Sequence, residues 1–114
     1  MSELSYKALI ADTQEHMKKL GGGIAPVMQG FGALGKAANV PGALDIKTKE
    51  LITLGIGVAA RCDGCIGFHT QALIKLGVTR AEFEEALGVA IYMGGGPSVM
   101  YAARAIAAYE ELSA

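Results

Sequence analysis

Apolar residues recur at intervals of three and four over much of this 114-residue sequence, which is the spacing of one face of an α-helix. The segment that follows Asp45 is a clear case, since Leu51, Leu54 and Val58 recur at such intervals and aspartate is a residue that caps helices. β-Branched residues do not alternate with polar residues over any run, as they would in a half-buried strand. The pattern therefore predicts an all-α protein.

Capping residues, prolines and glycines divide the sequence into about six helices. The expected helices run from near Ser2 to Gly21–Gly23, from Pro26 to before Pro41, from Asp45 to Ala60, from the cysteine region to Gly77, from Thr79 to Gly94–Gly96, and from Pro97 or Ser98 to Leu112. The connections between them are only a few residues long, which favours one compact helical bundle. We therefore expect a single domain over residues 1–114.

The charge balance is close to neutral, with 10 Lys and Arg residues against 11 Asp and Glu residues. The sequence therefore has no general attraction for nucleic acid or for an anionic membrane surface. The most apolar run, LITLGIGVAA, has ten residues, whereas a membrane-spanning helix needs about 20. The first residues lack the apolar core and cleavage site of a secretion signal, so we expect a cytoplasmic protein.

Hydrophobic residues make up 52% of the sequence, and the mean hydropathy is +0.37. A domain of this size leaves a large share of its surface in contact with water, so one small core cannot cover so much apolar surface. Self-association would cover the remainder. The composition therefore predicts a homo-oligomer.

Both cysteines of the sequence lie in one short stretch, AARCDGCIGFH, as Cys62 and Cys65. A disulfide across so small a loop adds little stability, and this pair is better suited to reversible oxidation at the start of a helix, where free amides stabilise a thiolate. His69 lies one helical turn beyond Cys65 and could accept its proton, while Cys62 could attack an oxidised Cys65. We expect Asp63 to cap this helix, with its charge opposing the thiolate and that of Arg61 favouring it.

Three other interpretations of these residues are weaker. A zinc site would have only three candidate ligands here, and inert buried cysteines would not explain the register with His69. Gly55 and Gly57 do not complete a nucleotide-binding motif, and together with Gly88 they are better explained by close approach of neighbouring backbones. Glu50 is expected to lie about 18 Å from Cys62 along a straight helix, so spacing alone does not bring it to the thiols. A sharply crossing fourth helix could do so, and the alternative is a solvated surface glutamate.

The pattern E-x11-C-x2-C-x3-H, formed by Glu50, Cys62, Cys65 and His69, resembles the active-site signature of the alkylhydroperoxidase D group of the carboxymuconolactone decarboxylase family. The resemblance implies an all-helical, AhpD-like fold and a homo-trimer or homo-hexamer. It also implies that Cys65 attacks a peroxide, that Cys62 resolves the product as a disulfide, and that Glu50 and His69 relay protons. Gly64 stands where the best-known members carry another histidine.

The function predicted from these features is that of a thiol-dependent peroxidase or disulfide reductase in antioxidant defence. It requires no metal, flavin or nucleotide, but it needs a peroxide substrate and an external dithiol, for which the resemblance implies a lipoyl or thioredoxin-like donor. One alternative is a decarboxylase or isomerase of an aromatic-catabolism lactone, although that chemistry does not need two cysteines. The other is a non-enzymatic oligomer that responds to oxidation of the same pair.

Overall fold

The computed structural model describes residues 4–114, and within them the fold is all-α, with no strand. This confirms the predicted fold class and the number of helices. The helices are α1 (Tyr6–Gly23), α2 (Ala25–Ala38), α3 (Ile46–Ala59), α4 (Asp63–Lys75), α5 (Arg80–Gly94) and α6 (Gly96–Ser113). None of these helices is both long enough and apolar enough to cross a membrane.

The start of α1 differs from the prediction. The expected start near Ser2 lies outside the described residues, and the helix begins at Tyr6. Ser5 precedes it in an extended conformation, and its hydroxyl accepts a hydrogen bond from the amide of Ala8 at 3.2 Å. The side chain of Ser5 thus satisfies one of the free amides of the first turn.

The other predicted boundaries agree closely with the structure. Thr79 and Glu82 form the expected capping box at the start of α5, with both reciprocal hydrogen bonds present. Gly77, at φ 79°, follows the end of α4 in the left-handed region that favours glycine. Gly95, at φ 77°, separates α5 from α6 in the same way.

The hydrophobic core lies between α3, α4, α5 and α6, and α1 covers one side of it. Its fully buried large side chains are Tyr6, Leu54, Val58, Ile66, Leu73 and Phe83. α6 contributes the small side chains of Ala102, Ala105 and Ala108, which let its backbone approach the core closely. α2 is the exception, because among the described residues its backbone packs only against α1.

α4 folds back along α3 after a tight turn. Arg61 has a φ of 58°, and the amide of Cys62 donates to the carbonyl of Gly57 at 3.0 Å, which reverses the chain direction. Gly57 then faces Cys65, and Glu50 contacts His69, so later residues of α4 meet earlier residues of α3. The two helices are therefore antiparallel, and residues far apart in this part of the sequence are brought together.

Candidate active site at the turn between α3 and α4

The two cysteines lie at the amino end of α4 and are joined as a disulfide, with their Cα atoms 5.2 Å apart. Cys62 is the N-cap residue of the helix, and its Sγ accepts a hydrogen bond from the amide of Cys65 at 3.1 Å. The prediction that Asp63 caps this helix is therefore wrong. At most helix starts a side-chain oxygen of the N-cap residue accepts a hydrogen bond from one of the first free amides. In this helix the sulfur of Cys62 takes that role.

Asp63 instead makes two long-range contacts. The hydroxyl of Tyr6 donates to its Oδ1 at 2.8 Å, and a guanidinium nitrogen of Arg104 lies 2.6 Å from its Oδ2. Arg104 also lies over the ring of Tyr101, at 4.9 Å from the centroid. Burial, together with the hydrogen bond to Asp63, raises the pKa of Tyr6 far above its usual value, so its hydroxyl stays a donor. Residues of α1, α4 and α6 are thus joined beside the cysteines.

His69 and Glu50 form a close pair, with 2.7 Å between His69 Nδ1 and Glu50 Oε1. Glu50 is only 8% exposed, although glutamate is rarely buried without a partner. The expected separation of about 18 Å along α3 does not prevent this contact, because α4 returns along α3 and carries His69 back to Glu50. Glu50 reaches the site through the histidine rather than through the cysteines.

The pairing of His69 with Glu50 also orients the imidazole. When Nδ1 carries the proton and donates it to the carboxylate, Nε2 is the nitrogen with a free lone pair. His69 lies four residues after Cys65 in the same helix, so both side chains are on the same side of α4. This arrangement provides a base near the thiol pair and a carboxylate that stabilises the base once it is protonated.

Gly57 makes room for the thiol pair on the facing helix. A Cβ atom placed on Gly57 would lie 3.0 Å from Cβ of Cys65, which is closer than ordinary packing. The expectation of a close approach at Gly57 is therefore confirmed. The same expectation is wrong for Gly88, where a Cβ would meet no atom within 4 Å, while at Gly55 it would make ordinary contact with Ala90.

Two residues of this region, Tyr6 and Arg104, were not predicted from the sequence. They are 57 and 41 positions away from Asp63, and both lie in otherwise ordinary amphipathic segments. No local spacing rule links an aromatic residue or an arginine to a carboxylate at such distances. The one available signal was the acidic residue between two cysteines, because a carboxylate in that position is stabilised by a compensating charge.

Other features of the described residues lie apart from the cysteines. No cluster of three or more His, Cys, Asp or Glu side chains in residues 4–114 is arranged as a metal site. An apolar groove of about 430 Å³ lies between α3 and α5, and it is lined among others by Ile52, Ile56, Val89 and Met93. None of the four predicted site residues lines it, so it is separate from the thiol chemistry.

Comparison with known proteins gives concordant results. The sequence profile of the carboxymuconolactone decarboxylase family matches residues 25–108. An uncharacterised protein from Cupriavidus necator is 35% identical over 108 residues, covering 95% of this chain and 96% of its own.

Two solved structures are similar over most of their length. The apo crystal structure of a carboxymuconolactone decarboxylase family protein from Legionella pneumophila is 50% identical, with a TM-score of 0.93, and the match covers 96% of this chain and 97% of the other. A family protein from Thermotoga maritima, for which an involvement in antioxidative response has been suggested, is 34% identical with a TM-score of 0.76 and 86% coverage of both chains.

Proposed function

Because this chain belongs to the carboxymuconolactone decarboxylase family, and because its two cysteines form a disulfide next to a histidine–glutamate pair, we propose that it is a thiol-dependent alkylhydroperoxidase. The observation that carries the proposal is the position of Cys62 and Cys65 at the amino end of α4, with His69 one turn further along the helix. A structural disulfide would need neither the histidine nor its buried carboxylate. The suggested antioxidative role of the Thermotoga relative points in the same direction.

In the first step of the proposed reaction, Cys65 attacks the terminal oxygen of a hydroperoxide. His69 takes the thiol proton at Nε2, a sulfur–oxygen bond forms, and the oxygen–oxygen bond breaks. The departing alkoxide receives the proton from the imidazolium and leaves as an alcohol. Glu50 stabilises the imidazolium throughout, since its carboxylate lies 2.7 Å from Nδ1.

In the second step, Cys62 attacks the sulfenic acid on Cys65, the disulfide forms, and the hydroxyl leaves as water with the proton of Cys62. An external dithiol then reduces the disulfide by exchange and supplies two electrons and two protons. We propose a lipoyl or thioredoxin-like donor and a cytoplasmic location, because that compartment maintains reduced dithiols. If a second disulfide takes the place of the peroxide, the reduced pair transfers its two electrons to that disulfide by the same exchange, and the protein acts as a disulfide reductase.

The proposal is tested by measuring peroxide consumption with an alkyl hydroperoxide and either dihydrolipoamide or reduced thioredoxin. We expect many turnovers per protein molecule, and loss of turnover after thiol alkylation or in Cys65→Ser. Oxidation of a single equivalent, followed by no further consumption with either donor, would favour the redox-responsive oligomer. Activity on an aromatic-catabolism lactone that survives alkylation would favour the decarboxylase or isomerase.

We also propose that the protein is a homo-trimer or homo-hexamer. Large apolar side chains remain exposed on several helices, among them Val27, Phe31 and Leu34 on α2, and Val89 and Met93 on α5. Isolated exposed apolar residues are common, but several on one helix face are typical of an interface. A second copy of the chain is the partner that would cover them in every molecule.

A further inference from the structure

Asp63 places a negative charge in the first turn of the helix that carries the thiol pair. It is the first residue of α4, between Cys62 and Cys65 in the sequence. The free amides at the start of this helix favour a thiolate, whereas a carboxylate in the same turn disfavours it. An uncompensated Asp63 would therefore oppose the reactive form of the very thiols that it separates.

The structure compensates this charge from two other helices. Arg104 of α6 contacts one oxygen of Asp63, and the hydroxyl of Tyr6 of α1 donates to the other. Tyr6 is only 1% exposed, so its ring is fixed by the core, and the cation of Arg104 rests on the ring of Tyr101. Both oxygens of Asp63 are thus held by donors that belong to other helices.

We propose that Arg104 and Tyr6 are positioning residues that raise the reduction potential of the Cys62–Cys65 pair by neutralising and fixing the carboxylate of Asp63. Cys62 and Cys65 are the cysteines of the proposed peroxidase reaction, and the role of this effect in turnover rests on that proposed function. Stabilising the thiolate favours the reduced protein over the disulfide, so the dithiol becomes easier to regenerate after each turnover.

Other charged groups near Cys62 and Cys65 also influence the reduction potential of these cysteines. Glu50 of α3 and His69 of α4 lie against each other, so their charges compensate when the imidazole is protonated. Arg61 is exposed in the turn before Cys62, where solvent screens its charge. Arg104 is also about half exposed, with 48% of its side chain accessible, but unlike Arg61 it is in direct contact with the carboxylate of Asp63.

The test is the equilibrium of the reduced protein with glutathione disulfide, in which two protein thiols lose two electrons and two protons and two glutathione molecules form. Arg104→Met should shift this equilibrium about tenfold toward the protein disulfide, which corresponds to a potential lower by about 30 mV. Asp63→Asn should shift it in the opposite direction. In the Asp63→Asn background, Arg104→Met should have little further effect, and Arg104→Lys in the native background should preserve most of the native value.

Arg80 provides a matched control. It pairs with Glu84 and Glu110 and lies 5.9 Å from the ring centroid of Tyr109, which resembles the setting of Arg104, but its partners are on α5 and α6 rather than beside the cysteines. Arg80→Met should therefore leave the equilibrium unchanged. Tyr6→Phe, which retains the buried ring, should shift it in the direction of Arg104→Met by a smaller factor.

The outcomes separate this inference from the proposed function. Shifts of the same sign in Arg104→Met and Asp63→Asn, or no shift in either, would overturn the inference even if peroxide turnover is efficient. Opposite shifts that disappear in the double variant would support it even if no peroxide is consumed. The alkylation rate of the thiols, followed against pH, should show a higher thiol pKa in Arg104→Met and a lower one in Asp63→Asn, whereas a merely loosened helix would raise the thiol pKa in both variants.

Discussion

α2 and α4 are helices of nearly equal length, 14 and 13 residues, with opposite roles in this molecule. α4 contacts α1, α3 and α6 and buries Ile66, Gly67, Thr70 and Leu73. α2 packs only against α1 among the described helices, apart from a hydrogen bond with Lys49 of α3, and has no buried residue. The difference shows that an apolar helical pattern predicts a helix but does not specify the surface against which that helix packs.

The exposed side chains of α2 are ordered rather than scattered. Val27, Phe31 and Leu34 follow the i, i+4, i+7 spacing of one helix face and are 63%, 70% and 63% exposed. The carboxyl end of α2 is held in place, because the ammonium of Lys49 donates to the carbonyls of Ala38 and Val40 at 2.9 and 2.6 Å. α2 is thus held at its carboxyl end and presents an apolar face to the outside, whereas α4 packs its apolar face inward and carries the disulfide at its amino end.

The largest effect is expected on α4. Cys65→Ser should reduce peroxide turnover by more than about a thousandfold, because the attacking sulfur is lost. Cys62→Ser should also stop turnover with a dithiol, but it should leave a sulfenic acid on Cys65 that a dimedone-type reagent traps. A sulfenic acid found on Cys62 of Cys65→Ser, and not on Cys65 of Cys62→Ser, would show that the two roles are reversed.

The next effect is expected on α2. Phe31→Glu places a charge in the apolar face and should weaken self-association by about a hundredfold or more, since an isolated charge is costly to bury. Light scattering should then show a shift toward the 11.8 kDa monomer, with the helical circular dichroism retained. Gln29→Glu, on the opposite side of the same helix, is the control and should keep the native mass. A native protein that is already monomeric at micromolar concentration would rule out the oligomer.

Substitutions of the His69–Glu50 pair should slow thiol oxidation less than loss of Cys65 stops turnover. His69→Gln should slow thiol oxidation by about a hundredfold near neutral pH, within the usual range for a general base. Glu50→Gln should slow it by about tenfold, because the imidazole remains but loses the carboxylate that stabilises its protonated form. Stopped-flow oxidation of the reduced proteins against pH measures both, and one unchanged pH profile in all three proteins would remove the pair from the mechanism.

The smallest effect is expected at the start of α1, the helix that contacts both α2 and α4. The residue to change is Glu111 of α6, which binds the first residues of α1. Glu111 accepts hydrogen bonds from the hydroxyl of Ser5 and the amides of Tyr6 and Lys7, and the first of these is the main cause of its lowered pKa. A carboxyl group with a lowered pKa stabilises the fold above its unfolded pKa, of about 4.3, and loses this contribution as the pH falls through the folded value. Glu111→Gln should therefore lower the unfolding free energy at pH 7 by about 1 kcal/mol, as the loss of a helix cap does.

Urea unfolding of native protein and Glu111→Gln at several pH values tests this prediction. The difference between the two proteins should be full near pH 7 and should vanish as the pH falls below the lowered pKa of the folded protein. Glu85→Gln, an exposed glutamate on α5, should show little difference at any pH. A Glu111→Gln difference that is equally large in acid would mean that the side chain contributes through packing instead of charge.

Much of the fold could be predicted from local signals in the sequence. The glycines, the prolines and the capping box at Thr79 and Glu82 act within a few residues, so the six helices followed from them with small errors at their ends. The register of Cys62, Cys65 and His69 within α4 is local in the same sense. The error at Asp63 arose because cysteine is an unusual N-cap, while aspartate is a common one.

The remaining features depend on tertiary structure and could not be read from spacing. The contact of Glu50 with His69 requires the antiparallel return of α4, and the contacts of Tyr6 and Arg104 with Asp63 require the positions of α1 and α6. The exposure of α2 is a further case, since its apolar residues resemble those of a core helix. In each case the sequence indicates the chemical type of the side chain, and only the packing identifies its partner.

The position of α1 bears on how the chain could be shortened. The family match begins at residue 25, so α1 lies outside it, as does Glu111 beyond residue 108. A fragment trimmed to the matched residues would keep Glu50, Cys62, Cys65 and His69, yet it would lack the hydroxyl that Tyr6 donates to Asp63 and would leave Gly67 open where Tyr6 and Ile10 pack against α4. The limits within which a family is recognised by its sequence are thus narrower than the limits within which this thiol site is physically assembled.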